Sequence, residues 1–142
     1  GQKPNNLPDT QLRVGEKTVI GDGKFTVECA VLPKNSKVFK SLNTFFFNFD
    51  AVCGTIVFTS RKDGDKVRLN GRKCTKSLKD LFSEAKMTQL ERSSTPVLRD
   101  EKGIIAVYGF GAAERCSAKP GDTVLRVTIN KNDRTGDNLK NE

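Results

Sequence analysis

The chain has no histidine among its 142 residues. Histidine is the side chain that most often carries protons near neutral pH, so its absence argues against most acid–base catalytic schemes. No run of eighteen apolar residues occurs, and we expect no membrane-spanning helix. The sequence starts Gly1-Gln2-Lys3, without an initiator methionine or the apolar core of a signal peptide. We interpret it as part of a longer, cytoplasmic protein.

Closely spaced metal-ligand pairs are also missing. The four cysteines, Cys29, Cys53, Cys74 and Cys116, lie more than twenty residues apart. Structural zinc sites need short Cys or His pairs, so we predict no metal site. Nothing marks secretion, and we therefore interpret the cysteines as reduced thiols. The small or β-branched neighbours of Cys29, Cys53 and Cys116 predict that these three are buried.

Positive charge exceeds negative charge by eight, and most of the excess lies in one segment. Between Arg61 and Lys79, eight basic residues are accompanied by only two acidic ones, a local charge of +6 in nineteen residues. Clustered Lys and Arg are typical of a nucleic-acid-binding surface. Composition leaves two other interpretations open: a solvated basic face without a partner, and a docking surface for an acidic protein.

The first half of the chain has the patterns of β-strands. Apolar and polar residues alternate on both sides of Gly21-Asp22-Gly23, which predicts a β-hairpin. Two further strands are predicted at Phe45–Phe49 and Thr55–Thr59, with a turn between them. We interpret the phenylalanines of the first as core residues, since aromatic residues interleaved with basic ones, as in a base-stacking platform, are missing.

A helix is predicted to begin after Ser77, because Ser77 followed by Asp80 is an N-cap pattern. Apolar residues then recur with helical spacing. The predicted apolar stripe consists of Leu78, Leu81, Phe82 and Ala85. At about 3.6 residues per turn, Lys76, Lys79 and Lys86 are predicted to share one basic flank of this helix.

A second short helix and the last strands complete the pattern. Thr88 with Glu91 repeats the cap signature, and Pro96 ends the helix that follows. Residues Gly103–Gly109 form an apolar run bounded by glycines, and Thr123–Ile129 alternate cleanly, so both are predicted strands. The two helices together predict a helix-turn-helix between extended segments.

These elements predict an α+β fold, an antiparallel, sandwich-like β structure with a helix-turn-helix insertion. Residues 1–9 and 131–142 are predicted to be disordered tails. Between them we predict a β-rich linking segment at 10–59 and a domain at 60–130. The predicted core residues are Leu78, Leu81, Phe82, Ile104, Ile105, Val107, Val124 and Val127.

Several short strings in the second half resemble a known family. They are Arg61-Lys62-Asp63-Gly64-Asp65-Lys66, Lys76-Ser77-Leu78-Lys79-Asp80-Leu81-Phe82, Lys86-Met87, Arg92, Pro96-Val97-Leu98 and Gly103-Ile104-Ile105-Ala106-Val107-Tyr108-Gly109. In this order they resemble the C-terminal domain of bacterial tRNA(Ile) lysidine synthetases. A fainter resemblance extends to a domain of the phenylalanyl-tRNA synthetase β subunit. Residues 12–58 are similar to the weaker segment that precedes the family's domain.

The resemblance implies a parent enzyme that uses ATP, with Mg²⁺, to adenylate the wobble cytidine of the AUA-decoding isoleucine tRNA and to join lysine to it. That chemistry belongs to an N-terminal ATP domain with a Ser-Gly-Gly-x-Asp-Ser loop, and no Ser-Gly-Gly occurs here. We therefore expect no catalytic residue, cofactor or metal in these residues. The implied partners are tRNA, gripped at its acceptor arm by residues 60–130, and the parent's own ATP domain. The parent is implied to be a cytoplasmic homodimer.

The residues expected to bind RNA are basic side chains of the matching region. They are Arg61, Lys62, Lys66, Arg68, Arg72, Lys73, Lys76, Lys79, Lys86 and Arg92. Duplex RNA is recognised largely through its backbone, so a basic loop and helix flank need no base-specific groups. Arg61 has a second interpretation, as a structural arginine that holds its turn through Asp63 and Asp65.

Overall fold

The computed structural model describes residues 7–39 and 41–132. These residues form eleven β-strands, and every pair of neighbouring strands is antiparallel. The strands are β1 (Thr10–Leu12), β2 (Lys17–Ile20), β3 (Phe25–Leu32), β4 (Thr44–Asn48), β5 (Ile56–Thr59), β6 (Lys66–Val67), β7 (Lys76–Ser77), β8 (Val97–Asp100), β9 (Gly103–Val107), β10 (Gly111–Ala112) and β11 (Val124–Lys131). Two α-helices, α1 (Leu78–Glu84) and α2 (Gln89–Ser93), and two 3₁₀ turns, Phe49–Ala51 and Glu114–Cys116, connect them.

The strands form two main sheets and one small hairpin. One sheet has the order β1-β5-β8-β9-β10, and the other has the order β2-β3-β11-β4. Within the part of the chain that the structure describes, strands β6 and β7 pair only with each other, and β7 leads directly into α1. This arrangement confirms the predicted α+β, antiparallel fold with a helix-turn-helix.

The two sheets share one apolar core. The ring of Phe25 on β3 lies 5.6 Å from the ring of Phe58 on β5, centroid to centroid. All eight predicted core residues are buried. Four successive residues of β9, from Ile104 to Val107, are also buried. Because successive side chains of a strand point to opposite faces, β9 must be covered on both sides.

The predicted hairpin around residues 21–23 is confirmed as β2 and β3. Gly21, Asp22 and Gly23 all have positive φ, at 67°, 58° and 86°. Glycine adopts this region without a side-chain clash, and aspartate is among the few other residues that tolerate it. The local sequence therefore determines the turn, which closes with a hydrogen bond from the Lys24 amide to the Gly21 carbonyl.

The two strands predicted next, at Phe45–Phe49 and Thr55–Thr59, are present as β4 and β5, but they belong to different sheets. Strand β4 pairs with β11, whereas β5 pairs with β1 and β8. Phe45, Phe46 and Phe47 are buried, which confirms their interpretation as core. The interpretation is wrong for Phe49, which is 39% exposed because the strand ends at Asn48 and Phe49 begins a 3₁₀ turn.

Both main sheets combine strands from residues 10–59 with strands from residues 60–130. At the ends, Leu7 is buried, and Lys131 is the last residue of β11, opposite Phe25. The rest of the predicted tails, residues 1–6 and 133–142, lies outside the described residues.

The helix-turn-helix forms at the predicted positions with the predicted caps. The Ser77 hydroxyl accepts a hydrogen bond from the Asp80 amide, and Thr88 forms a full reciprocal capping box with Glu91. The predicted stripe of α1 is wrong at one position. Ala85 is exposed, because the last helical residue is Glu84 and Ala85 is the C-cap.

Candidate nucleic-acid interface

The basic segment begins with a tight turn that is held by an ion pair. Both carboxylate oxygens of Asp65 accept hydrogen bonds from the Arg99 guanidinium, at 2.7 Å and 2.6 Å, and the Lys62 amide donates a third at 2.6 Å. The Asp65 and Arg99 side chains are only 11% and 16% exposed. Burial opposes ionisation of Asp65, but the hydrogen bonds from Arg99 and Lys62 and their positive charges outweigh it and lower the pKa of the carboxyl group.

This geometry tests the interpretation of Arg61 as the structural arginine of the turn. The arginine that holds the turn is Arg99, which approaches from β8 and also donates to the Ser60 carbonyl. Within the described residues Arg61 forms no ion pair with Asp63, Asp65 or any other acid. The structural interpretation of Arg61 is therefore wrong.

The basic loop connects β6 to β7 and is anchored to the body of the domain by buried apolar residues. Val67 and Leu69 are buried, and Leu69 pairs with Ala113 in an isolated β-bridge. The loop exposes its charged side chains around these anchors. Arg68, Arg72 and Lys73 are all exposed, and Arg68 Nε donates a hydrogen bond of 3.1 Å to the Arg72 carbonyl.

The predicted basic flank of α1 is wrong in two respects. Lys76 precedes the helix on β7, and its Nζ lies 2.6 Å from Glu84, so its charge is neutralised. Lys86 follows the helix in the left-handed conformation, with φ of 57°. The Lys86 and Met87 amides donate to the Ser83 and Phe82 carbonyls, the pattern of a Schellman motif. Lys86 therefore lies beyond the end of α1 and does not share a helical flank with the exposed Lys79.

Two other side chains that were expected to bind RNA interact with neighbouring groups of the protein. Lys62 Nζ lies 3.3 Å from the Asp9 carboxylate, with both side chains more than half exposed, so the pair contributes little to stability. Arg92 is half-buried, and its Nε donates to the Met87 carbonyl at 3.0 Å. This bond joins α2 to the turn that follows α1. The RNA-binding role of the ten residues stays a prediction.

Basic residues that the sequence reasoning missed lie beside the hairpin. Lys66 and Arg68 line a groove of about 370 Å³ together with Lys102 and Arg115. Lys102 lies in the β8–β9 turn, and Arg115 lies in the second 3₁₀ turn. No local sequence signal could have found them, because they join the basic segment only through the pairing of distant strands.

A buried carboxylate fixes one wall of this groove. Asp100, whose side chain is fully buried, accepts hydrogen bonds from both terminal nitrogens of Arg115, at 2.7 Å and 3.2 Å. It also accepts from the amides of Cys53, Lys102 and Gly103. Burial opposes ionisation of Asp100, but these bonds outweigh it and lower its pKa.

The cysteines show no arrangement for catalysis in the described residues. Cys29 and Cys116 are buried, and burial raises their pKa values to about 11 and about 12. Cys74 is exposed. Cys53 is half-buried, so the prediction of burial is wrong for Cys53, which lies where the chain crosses from one sheet to the other.

Residues 7–39 and 41–132 contain no group of three or more Cys, Asp or Glu placed to hold a metal ion. No helix in the same ranges is long and apolar enough to cross a membrane.

The fold and the basic surface define a small α+β domain without a recognisable catalytic centre in the described residues. Comparison with known proteins identifies the family of this domain. Residues 56–129 match the family of the TilS substrate C-terminal domain, and the chain belongs to this family. A crystal structure of a TilS C-terminal domain has the same fold, with a TM-score of 0.79 at 20% identity, over 90% of this chain and 99% of that one.

The chain is also similar to tRNA(Ile)-lysidine synthases. It is 33% identical over 101 residues to the enzyme of Caldanaerobacter subterraneus, covering 71% of this chain and 22% of that protein. It is 36% identical over 86 residues to that of Clostridioides difficile, covering 60% and 18%. The Clostridium tetani protein is 27% identical over 126 residues, covering 88% and 27%. The chain thus spans only about a quarter or less of these relatives.

Proposed function

We propose that this chain is the tRNA-holding C-terminal part of a tRNA(Ile)-lysidine synthase. In this proposal a separate ATP domain, with Mg²⁺, activates the wobble cytidine and joins lysine to it in the cytoplasm. While that reaction takes place, the residues of this chain bind the acceptor arm of the same tRNA. Membership of the TilS family supports this assignment over the phenylalanyl-tRNA synthetase alternative. The homodimeric parent stays a prediction.

The observation that carries the proposal is the unneutralised positive charge of the turn, hairpin and helix. Of the ten side chains expected to bind RNA, all except Lys62 and Lys76 lack an ion pair within residues 7–39 and 41–132. A protein that places such charges against phosphates releases counterions, which favours binding of a polyanion. Duplex RNA suits this surface because its shape and phosphates, rather than its bases, are accessible.

The backbone that carries these charges is held by contacts at three places. Asp65 and Arg99 hold the turn, Val67 and Leu69 anchor the hairpin, and Ser77 caps α1. A fixed array of charges loses less conformational freedom on binding than a mobile one. Phosphate contacts of this kind position a tRNA without reading its sequence.

The test measures tRNA affinity of the chain as a function of salt concentration. We expect Lys73→Ala to reduce the slope of log affinity against log salt by about 0.7 to 0.9, the contribution of one phosphate contact. Lys34→Ala is the matched control, because Lys34 is an exposed lysine on the turn after β3. The control should behave as the unsubstituted chain does.

Two outcomes would contradict the proposal. One is the lack of salt-dependent tRNA binding by the unsubstituted chain. The other is unchanged tRNA affinity in both Arg72→Ala and Lys73→Ala, which would favour the interpretation of this surface as a docking site for an acidic protein.

A competition experiment tests whether the acceptor arm is the part of the tRNA that binds. An acceptor-arm minihelix should displace tRNA from the chain, and an anticodon stem-loop should not.

A further inference from the structure

The groove beside the β6–β7 hairpin gathers basic residues from three separate parts of the chain. Lys66 and Arg68 come from the hairpin, Lys102 comes from the β8–β9 turn, and Arg115 comes from the second 3₁₀ turn. The volume of the groove is about 370 Å³, and it opens to solvent. Lys66, Arg68, Lys102 and Arg115 are all exposed.

Acidic groups neutralise little of this charge. Glu114 lines the groove, but its carboxylate lies 3.8 Å from Lys119 Nζ. Asp100 balances Arg115 from below and is itself inaccessible. Lys66, Arg68 and Lys102 form no ion pair within the described residues, so three positive charges face the groove without a protein partner.

The backbone that carries Lys102 is fixed. Its amide donates to Asp100 Oδ1 at 2.9 Å, and the next amide, that of Gly103, donates to the same oxygen at 3.2 Å. Because Arg115 grips the same carboxylate, the β8–β9 turn and the second 3₁₀ turn are tied together. Arg115 is thus a positioning residue: its terminal nitrogens are occupied, and it holds the turn that presents Lys102.

Arg68 is fixed in a way that leaves its binding edge free. Its Nε donates to the Arg72 carbonyl, which orients the guanidinium group. Neither terminal nitrogen of Arg68 has a hydrogen bond within residues 7–39 and 41–132. An arginine with both terminal nitrogens available can bind two oxygens of one phosphate.

We propose that this groove is a second phosphate-binding subsite, in which Lys66, Arg68 and Lys102 bind the sugar–phosphate backbone of RNA. The proposal rests on the proposed function and extends the interface across the hairpin. The loop residues Arg72 and Lys73 line a smaller cavity against α1, and Val67 of the hairpin lines both this cavity and the groove. An acidic polypeptide is the alternative ligand, but the groove continues a surface already suited to a row of phosphates, so RNA is favoured.

The test compares Lys102→Ala and the double variant Lys66→Ala/Lys102→Ala with Lys34→Ala. Both groove lysines are exposed, and the only hydrogen bond made by Lys102 within the described residues is from its backbone amide, so melting temperature should not change. We expect Lys102→Ala to lower the slope of log affinity against log salt by about 0.7 to 0.9, and the double variant to lower it by about twice as much. Over a tenfold range of salt, one lost contact of this size amounts to a change in relative affinity of about sixfold.

The outcomes separate the two proposals. If Lys73→Ala weakens tRNA binding while both groove variants bind as the control does, the groove is not a subsite and the proposed function stands. If the unsubstituted chain binds no tRNA, both proposals fail. If poly-glutamate binding depends on Lys102 while tRNA binding does not, the groove is a site for an acidic protein, which also overturns the inference.

Discussion

Replacing Asp65 by asparagine removes the charge that holds the basic turn while keeping the size of the side chain. The carboxylate accepts three hydrogen bonds of 2.6 to 2.7 Å, two of them from Arg99. Breaking a buried ion pair by removing one partner costs about 3 to 5 kcal/mol. Since both side chains keep some exposure, at 11% and 16%, we expect the lower end, about 3 kcal/mol.

The assay is urea unfolding followed by circular dichroism, with thermal melting as a second measurement. A loss of about 3 kcal/mol should lower the melting temperature of a chain of this size by roughly 10 °C. Asp63→Asn is the matched control, because Asp63 is an exposed aspartate in the same turn. It should cost less than about 0.5 kcal/mol. A double-mutant cycle with Arg99→Ala should give a coupling energy above about 1.5 kcal/mol.

The pH dependence of this effect has a definite sign. The pKa of Asp65 is lower in the folded protein than its ordinary value of 3.8. Its contribution to stability is therefore fully present above that value and is lost as the pH falls toward the lower, folded-state pKa. The difference between Asp65→Asn and the unsubstituted chain should narrow over that acidic range. Equal losses of stability in Asp65→Asn and Asp63→Asn at neutral pH would show that the ion pair with Arg99 does not hold the turn.

Three further predictions concern other parts of the chain. Lys86→Gly should stabilise the fold by about 0.5 to 1 kcal/mol in urea unfolding, because Lys86 has a φ of 57°; no gain would contradict a left-handed conformation there. Iodoacetamide at neutral pH should modify Cys74 first, detected by mass spectrometry, while Cys29 and Cys116 react only after unfolding. The isolated chain with ATP, lysine and tRNA should form no lysidine, and any lysidine in the digested tRNA would reveal an overlooked active site.

Local sequence determined the elements whose geometry depends on near neighbours. The β2–β3 turn follows from Gly21-Asp22-Gly23, since these residue types tolerate positive φ. The start of α1 follows from Ser77, and the start of α2 follows from Thr88, because a cap needs only a hydroxyl and an amide three residues later. The buried residues of β9 follow from an unbroken apolar run.

The end of α1 could not be predicted from the local sequence pattern alone. The periodicity continues through Ala85 and Lys86, yet the helix ends at Glu84, and Lys86 turns to the left-handed conformation. The Met87 amide then bonds to the Phe82 carbonyl, and Met87 packs against the core. Partial burial of Met87 accompanies an unfavourable left-handed conformation at Lys86. Helical periodicity in the sequence does not predict such a compensation.

Tertiary structure alone decided which distant residues meet at the candidate interface. Arg99 replaces Arg61 as the partner of Asp65 because the pairing of β5 with β8 brings Arg99 beside the turn. Lys102 and Arg115 reach the groove of Lys66 because Asp100 ties two loops together beneath it. The sequence could reveal a local excess of charge, since charge is a property of each residue. It could not reveal which charges are neutralised or joined, since that depends on tertiary contacts, such as that of Asp65 with Arg99, thirty-four positions away.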